Sequence, residues 1–327
     1  MNQTRAGSNI AWESLALSEM ASAYLARSPH WLISHPDWIM TGANRDSLAF
    51  TDYCLDFSRR IGLDYVVLGR FDKGKSGYEV AFSLFQLTRR TPLYDGRTAS
   101  AGIREIGEDV GSAIHKAITG RQLSQIDPLW SSERQLQYYS ESKLFFLKND
   151  LQAAYEKARN ALKLDSTSTI CLNYLAEIEV QSARQQMTDG EVPIARFSRA
   201  NSLLRASADI DKDNPNTYLH FAQLYVLNKR WGLAEESLKH SLDLNPLNSK
   251  LYTLLAQLHP DRYKDLGFSS DREVLARALF INPCDFDARL TLADIYRTVN
   301  KPDRAVAILK EGLRINPNKI SVLMALA

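Results

Sequence analysis

A 34-residue stretch in the second half of the chain constrains the fold more than any other feature of the sequence. Residues 286–319 read FDARLTLADIYRTVNKPDRAVAILKEGLRINPNK. Counted from Phe286, the small residues Ala293 and Ala305 stand at positions 8 and 20, with leucines and a tyrosine around them. The same pattern returns in residues 215–248. A repeated unit of this length predicts a chain of stacked units, each of which buries its apolar face against its neighbours.

These features resemble the tetratricopeptide repeat. The resemblance implies two antiparallel helices per unit, which interlock through the small residues at positions 8 and 20. The unit at 169–214 has 46 residues, so about 12 extra residues are expected between its two helices. Five units are predicted, at 135–168, 169–214, 215–248, 249–285 and 286–319, followed by a partial repeat or capping helix at 320–327.

The first 120 residues follow a different pattern. Residues 121–134 are predicted to link this region to the repeats. The whole chain is therefore expected to be α+β, with a small α/β domain over 1–120 and an all-α solenoid after it. Helices are predicted over 12–26, 47–61 and 103–118, and strands over 64–69, over 78–88 and after Pro92.

This amino-terminal region resembles the small α/β domain at the amino terminus of TolB. The resemblance rests on Trp12 and Leu15 in the first helix, on GLDYVVLGRF at 62–71 and on the extended segment 80–87. The family's domain opens with an apolar strand that would end near Met1, and that strand is missing from this sequence. Together with the incomplete sixth unit, this indicates a fragment or a shortened member of a longer family.

One segment of the region matches a nucleotide-binding motif. Gly69, Gly74, Lys75 and Ser76 fit the phosphate-binding pattern G-x-x-x-x-G-K-[ST], in which the lysine holds phosphates and the serine binds Mg²⁺. Such a loop leads directly into a helix, whereas Gly77 and a strand-like segment follow here. A hairpin turn is therefore the leading interpretation, and a nucleotide-binding switch is the alternative.

Charge and cysteine content narrow the function classes. Forty Lys and Arg residues stand against 38 Asp and Glu, so the net charge is +2 and this segment is not expected to contact nucleic acid directly. Cys54, Cys171 and Cys284 are far apart and predict reduced packing thiols in a cytoplasmic protein. No apolar run predicts a membrane span. Apart from the segment 69–76, no catalytic, cofactor or metal motif is present, so the chain is expected to be non-enzymatic and to need no cofactor.

The repeat resemblance also implies where a partner would bind. The first helix of each unit lines the concave surface of the array, and we expect this groove to hold a protein or peptide segment through apolar anchors and polar contacts. The alternatives are a solvated groove and one filled by a helix of the protein itself. The lysine and asparagine set of the chaperone-tail-binding tetratricopeptide domains is not reproduced. The predicted groove residues are Tyr139, Lys143, Phe146, Asn173, Tyr174, Glu177, Leu219, His220, Gln223, Leu227, Leu254, Gln257, Leu290, Asp294 and Arg297.

A TolB-like domain followed by tetratricopeptide repeats resembles bacterial regulators that place this pair behind a winged-helix DNA-binding domain, including invasion-gene activators of enteric bacteria. The resemblance implies a cytoplasmic protein-interaction or sensory module that is linked to transcriptional control. Self-association is a further expectation. Beside the nucleotide switch, a secretion or assembly chaperone built on the solenoid is the second alternative.

Overall fold

The chain divides into two compact units, residues 1–144 and residues 145–327. The computed structural model describes residues 11–25, 48–60, 62–89, 91–122, 129–258, 263–315 and 319–326. The first unit contains α1 (Ala11–Leu25), α2 (Leu48–Arg60), β1 (Tyr65–Gly74), β2 (Gly77–Gln86), β3 (Tyr94–Ser100), α3 (Ile103–Thr119) and most of α4 (Glu133–Leu147). The second unit contains α5 (Leu151–Leu164), α6 (Thr169–Thr188), α7 (Ile194–Ile210), α8 (Pro215–Leu227), α9 (Trp231–Leu244), α10 (Ser249–Ala256), a 3-10 turn (Lys264–Leu266), α11 (Asp271–Ile281), α12 (Phe286–Thr298), α13 (Pro302–Ile315) and α14 (Ile320–Leu326).

The strands of the first unit form an antiparallel sheet in the order β1-β2-β3. On β2, alternate side chains point to one face, where Tyr78, Val80, Phe82 and Leu84 are buried. This alternation is the period-two pattern of a half-buried strand. The strands lie where the sequence predicted them, and β1 extends five residues beyond the predicted end at 69. With its small sheet and many helices, the chain is α+β.

Helices α1 and α3 of the first unit approach closely because α3 presents glycine to α1. A Cβ atom on Gly107 would lie 2.3 Å from the Cβ of Met20, and one on Gly111 would lie 2.8 Å from the ring of Tyr24. The same helix buries isoleucine and valine side chains at helical spacing. The sheet and these two helices therefore share one apolar core, because α3 also contacts β2 and β3.

The segment 69–76 is a β-hairpin. β1 and β2 pair in continuous register from Tyr65 with Gln86 to Gly74 with Gly77, so Lys75 and Ser76 form a two-residue turn. Both turn side chains are exposed. A phosphate-binding loop requires a helix after its Lys-Ser pair, so that backbone N–H groups converge on the phosphates. The alternative of a nucleotide site at Gly69, Gly74, Lys75 and Ser76 therefore lacks its structural basis, since a strand follows.

We expect Gly77→Ala to lower the free energy of unfolding by at least about 2 kcal/mol. Gly77 has a φ of 135°, which favours glycine, and a Cβ atom there would lie 2.3 Å from the carbonyl oxygen of Ser100. Gly74→Ala at the other end of the turn is the matched control, because its Cβ would meet only the Gly77 oxygen, at 3.9 Å. Urea unfolding of the full chain gives both values. Equal midpoints for the two variants would contradict this account of the turn.

Side-chain caps mark where the helices of the second unit begin. Ser168, Asn214, Asn248 and Asp285 each accept a hydrogen bond from a backbone N–H in the first turn of α6, α8, α10 and α12, respectively. A cap of this kind satisfies one of the N–H groups that a helix leaves unpaired at its start. Each of these four helices thus begins at the first residue of one of the repeats that the sequence predicted.

The connections between the two helices of the repeats have one backbone feature in common. Among the described residues, each contains one residue with left-handed φ, a conformation that favours a change of chain direction. At the two glycines this conformation has no steric cost, whereas at Lys229 it costs about 1 kcal/mol. The five residues are Asn149 (φ 61°), Gly190 (82°), Lys229 (54°), Gly267 (83°) and Asn300 (55°).

The unit at 169–214 differs from the others in the length of its helices. The extra residues were predicted between the two helices, and this is wrong: α6 has 20 residues and α7 has 17, so only residues 189–193 connect them. Gly190 and Pro193 stop the helices on either side of this turn. In the unit at 249–285, α10 is only 8 residues long and a 3-10 turn precedes α11; residues 259–262 of the predicted insertion lie outside the described residues.

Candidate peptide-binding surface

Within the second unit, the first helices of consecutive repeats lie side by side. α6 contacts α8, α8 contacts α10, and α10 contacts α12, while each of these helices also packs on the second helix of its own unit, α7, α9, α11 or α13. The interfaces within a repeat and between neighbouring repeats are filled by alanine and leucine side chains. Ala222, Ala234 and Leu251 are examples, and all three are fully buried. The sides of α6, α8, α10 and α12 that face away from the second helices thus form one continuous surface, which we call the inner surface.

An ion pair shows that the inner surface is curved. Lys250 Nζ on α10 lies 4.0 Å from Glu177 Oε1 on α6, although α8 stands between these helices in the array. Both side chains are partly exposed, so the pair contributes little to stability. Its value is geometric. Side chains that are two repeats apart can meet only where the first helices bend toward each other. The inner surface is therefore concave along α6, α8 and α10.

The accessible side chains of the inner surface are of mixed chemistry. His220 Nδ1 lies 2.9 Å from Gln223 Oε1 on α8, and Arg297 Nη1 lies 3.4 Å from Asp294 Oδ1 on α12. Arg297 also donates to the carbonyl oxygen of Ala325. Leucine supplies half-buried apolar area between these polar groups. The predicted groove residues that remain accessible here are Glu177, His220, Gln223, Leu227, Gln257, Leu290, Asp294 and Arg297.

Four other predicted groove residues are buried in the interior instead. Tyr174, Leu219 and Leu254 are each less than a tenth exposed. Asn173 donates through Nδ2 to Thr217 Oγ1 at 3.0 Å, so it links α6 to α8 beneath the surface. At these helical positions the side chain points into the contact between consecutive first helices and not toward the groove. Their assignment to the ligand-contacting set is corrected accordingly.

The structure places the three predicted residues of α4 in local contacts. The Tyr139 ring packs on Trp130 with their centroids 4.5 Å apart, and Lys143 Nζ lies 2.7 Å from Glu19 Oε1. Both contacts lie inside the first unit. Phe146 belongs to the second unit, where its ring centroid is 6.0 Å from that of Tyr174.

Lys250 was missed by the sequence analysis, although it carries the cation of the ion pair with Glu177. A signal was present, because Lys250 is the second residue of α10 and follows the cap at Asn248. The equivalent residue of α12, Asp287, is also exposed and charged. The second residue of a first helix therefore belongs to the inner surface, in addition to the helix positions that the repeat resemblance implied.

The described residues contain neither a grouped set of metal-binding side chains nor, at Cys54 and Cys284, an activated thiol. Within them, no three His, Cys, Asp or Glu side chains are grouped to hold a metal ion. Burial raises the pKa of the Cys54 thiol to about 11 and that of Cys284 to about 12. Both therefore stay protonated near neutral pH, where a nucleophilic cysteine would need to be a thiolate. In the same parts of the chain, no helix has the length and apolarity to cross a membrane.

Comparisons with known proteins identify the repeat. Residues 195–258 and residues 286–319 each match a family model described as "Tetratricopeptide repeat". These segments comprise most of α7 through α10, and α12 with α13. Tetratricopeptide repeats indicate a protein–protein interaction module, so the coarse expectation for the second unit is met. No curated protein matches the sequence.

Several solved structures resemble the repeats at low sequence identity. A tetratricopeptide-repeat protein of Thermus thermophilus, TTC0263, has 17% identity and a TM-score of 0.48, over 59% of this chain and 96% of its own. PilF of Pseudomonas aeruginosa has 15% identity and a TM-score of 0.43, over 59% and 81%. YrrB, described as a tetratricopeptide-repeat protein with an unusual peptide-binding site, has 16% identity and a TM-score of 0.34, over 58% and 91%.

Proposed function

We propose that residues 145–327 bind a polypeptide segment on the inner surface and that the chain is the non-enzymatic, protein-binding part of a bacterial regulatory protein. The observation that carries the first half is the continuous, concave layer of four first helices. Leu290 provides apolar area on this layer, and the amides of Gln223 and Gln257 lie on the same side. A peptide is held on such a surface by apolar anchors and fixed in register by polar contacts.

The charges of the inner surface favour a partner of mixed sequence. Glu177 pairs with Lys250 and Asp294 pairs with Arg297, so neither sign dominates. Because these ion pairs are exposed, a partner's charged side chains exchange with them at small energetic cost. Affinity then rests mainly on the apolar contacts, and the charges select the register of the bound segment.

We expect Leu290→Ala to weaken peptide binding about tenfold, which corresponds to the loss of about 1.4 kcal/mol of apolar contact. The probe is a peptide selected from a phage-displayed random library against the full chain, with affinity measured by fluorescence anisotropy. The control is Leu233→Ala on α9, a second helix, where the leucine is 40% exposed and outside the inner surface. Equal effects of the two substitutions, or of neither, would contradict binding at the inner surface.

The regulatory half of the proposal draws on the order of the two units. A small α/β unit with three strands precedes the helical repeats. The transcriptional regulators that the sequence resembles have their domains in the same order. The near-zero net charge leaves DNA contact to a different domain or protein, while these residues bind the signalling partner. Transcript profiles of the source bacterium with the gene deleted, restored, or restored as Leu290→Ala test this. Unchanged transcript levels after deletion of the gene would contradict the regulatory role. The proposal of peptide binding would not be affected by that result.

A further inference from the structure

A cavity of about 310 Å³ lies inside the second unit and away from the inner-surface residues named above. Its walls are the turn and first residues of α5 (149–152), the last turns of α6, and Arg196 of α7. The cavity exists because α6 is seven residues longer than α8. At 1.5 Å per residue, α6 thus extends about 10 Å further and overhangs the start of α5. The unusual length of this one unit creates the site.

The cavity walls are rich in hydrogen-bond acceptors. Gln152 and Gln186 donate their amide Nε2 atoms to Glu156 and Glu191, at 2.9 and 3.0 Å, so the amide groups keep their carbonyl oxygens as acceptors. Asp189 contributes a carboxylate directly after α6. The carboxyl end of a helix carries partial negative charge, which adds to that of the aspartate.

Two further wall residues support an acceptor site. Asp150 uses Oδ1 to accept from the Ala153 N–H at 3.1 Å, which leaves its second carboxylate oxygen. Ser182 is only 7% exposed and lines the cavity, and among the described residues its hydroxyl makes no hydrogen bond. The hydroxyl of this otherwise buried residue is open to the cavity and can donate to or accept from a bound group. Ser182 is therefore a second feature, beside the aspartates, that suits a polar ligand.

The cation in the wall, Arg196, belongs to a cluster of two arginines and one carboxylate. Arg196 Nη1 lies 3.0 Å from Oε2 of Glu179, a carboxylate that is fully buried. Arg199 binds the same carboxylate at 2.6 Å. This cluster keeps one positive charge, whereas Asp150 and Asp189 bring two negative charges to the wall, so the wall and the cluster together are negative. An anion would be repelled by these aspartates, whereas a cation that donates several hydrogen bonds matches the walls.

We propose that this cavity receives the guanidinium or ammonium group of an Arg or Lys side chain from a partner polypeptide. The turn that carries Asp189 also carries Val192, and Ile194 is the first residue of α7; their side chains are 79% and 71% exposed. Apolar side chains at the edge of a polar cavity suit a polypeptide, which packs neighbouring side chains on the edge while its cationic side chain enters the cavity. This site is separate from the inner surface and gives the protein a second contact with its partners.

The test measures binding of the acetylated and amidated tripeptide Ile-Arg-Ile to the full chain by isothermal titration calorimetry at low ionic strength. Citrulline in place of arginine keeps the shape and removes the charge, and we expect it to bind at least about tenfold more weakly. Agmatine carries the guanidinium without a peptide and should also bind at least about tenfold more weakly. Equal binding of the citrulline peptide, or no binding of the arginine peptide, overturns the proposal. Agmatine binding as tight as the peptide overturns a polypeptide as the source.

Variants locate the binding. Asp189→Asn and Ser182→Ala should each weaken the arginine tripeptide, by about tenfold and about threefold, respectively. Asp243→Asn, an exposed aspartate on α9, is the matched control and should leave the affinity unchanged. Thermal melting of each variant confirms that it is folded. Wild-type affinity in Asp189→Asn overturns the assignment to this cavity, even if the tripeptide binds elsewhere.

Discussion

The double substitution Arg196→Met and Arg199→Met is expected to lower the free energy of unfolding by about 3 kcal/mol. Glu179 has no exposed side-chain surface, and both arginines lie on α7, where they hold its two oxygens. Methionine keeps much of the apolar stem of each arginine but leaves the buried carboxylate without a cation. The ion pairs themselves contribute little to stability, because the arginines are partly exposed. The expected loss comes mainly from the free-energy cost of leaving the buried Glu179 carboxylate without a cation.

Urea unfolding of the full chain measures this loss. Arg205→Met, on the exposed part of the same helix, should change stability by less than about 0.5 kcal/mol. Adding Glu179→Gln to the double variant should recover part of the loss, since the buried group then carries no charge. A double variant with the stability of the wild type would show that Glu179 does not depend on these arginines.

Ala234→Leu is expected to destabilise the second unit by about 1–3 kcal/mol. Ala234 has no exposed surface and lies in the apolar cluster that also contains Ala222 and Leu238. Three additional carbon atoms at this contact force α8 and α9 apart or push neighbouring side chains off their rotamers. Calorimetric melting of the full chain provides the measurement.

The matched control for Ala234→Leu is Ala307→Leu on α13, where the alanine is exposed. This control should leave the melting temperature almost unchanged, because leucine is nearly as good a helix former as alanine. If Ala234→Leu melts like the wild type, the small residue at position 20 is not where the two helices touch, and the repeat register is misplaced.

The helix pairs were predictable because two independent signals coincide in the sequence. The spacing of apolar residues gives the helices, and Ser, Asn or Asp at the cap positions gives their starts at 169, 215, 249 and 286. The extension of α6 was missed because the helices of this repeat were expected to have the usual length, with the extra residues between them. Its last turns contain good helix formers, and the chain reaches no Gly or Pro before Gly190, so local propensity held the correct answer.

The candidate site was predicted less completely than the fold. A repeat position states which helix a side chain belongs to, but small rotations between consecutive first helices decide whether it is buried. Asn173 and Leu254 were therefore assigned to the groove although they pack between helices. Lys250 meets Glu177 only through the curvature of the array, which depends on the stacking of three units. The cap at Asn248 could have placed Lys250 near the start of α10, but no local sequence pattern shows that Lys250 reaches Glu177.

We propose that α6, α8, α10 and α12 form the binding surface of the second unit. Hydrogen–deuterium exchange of the full chain, with and without the library-selected peptide, tests it most directly. Exchange should slow in residues 169–188, 215–227, 249–256 and 286–298, and change far less in α9 and α13, since only the first helices contact the peptide. Protection confined to the second helices, or none at saturating peptide, would contradict binding at the inner surface.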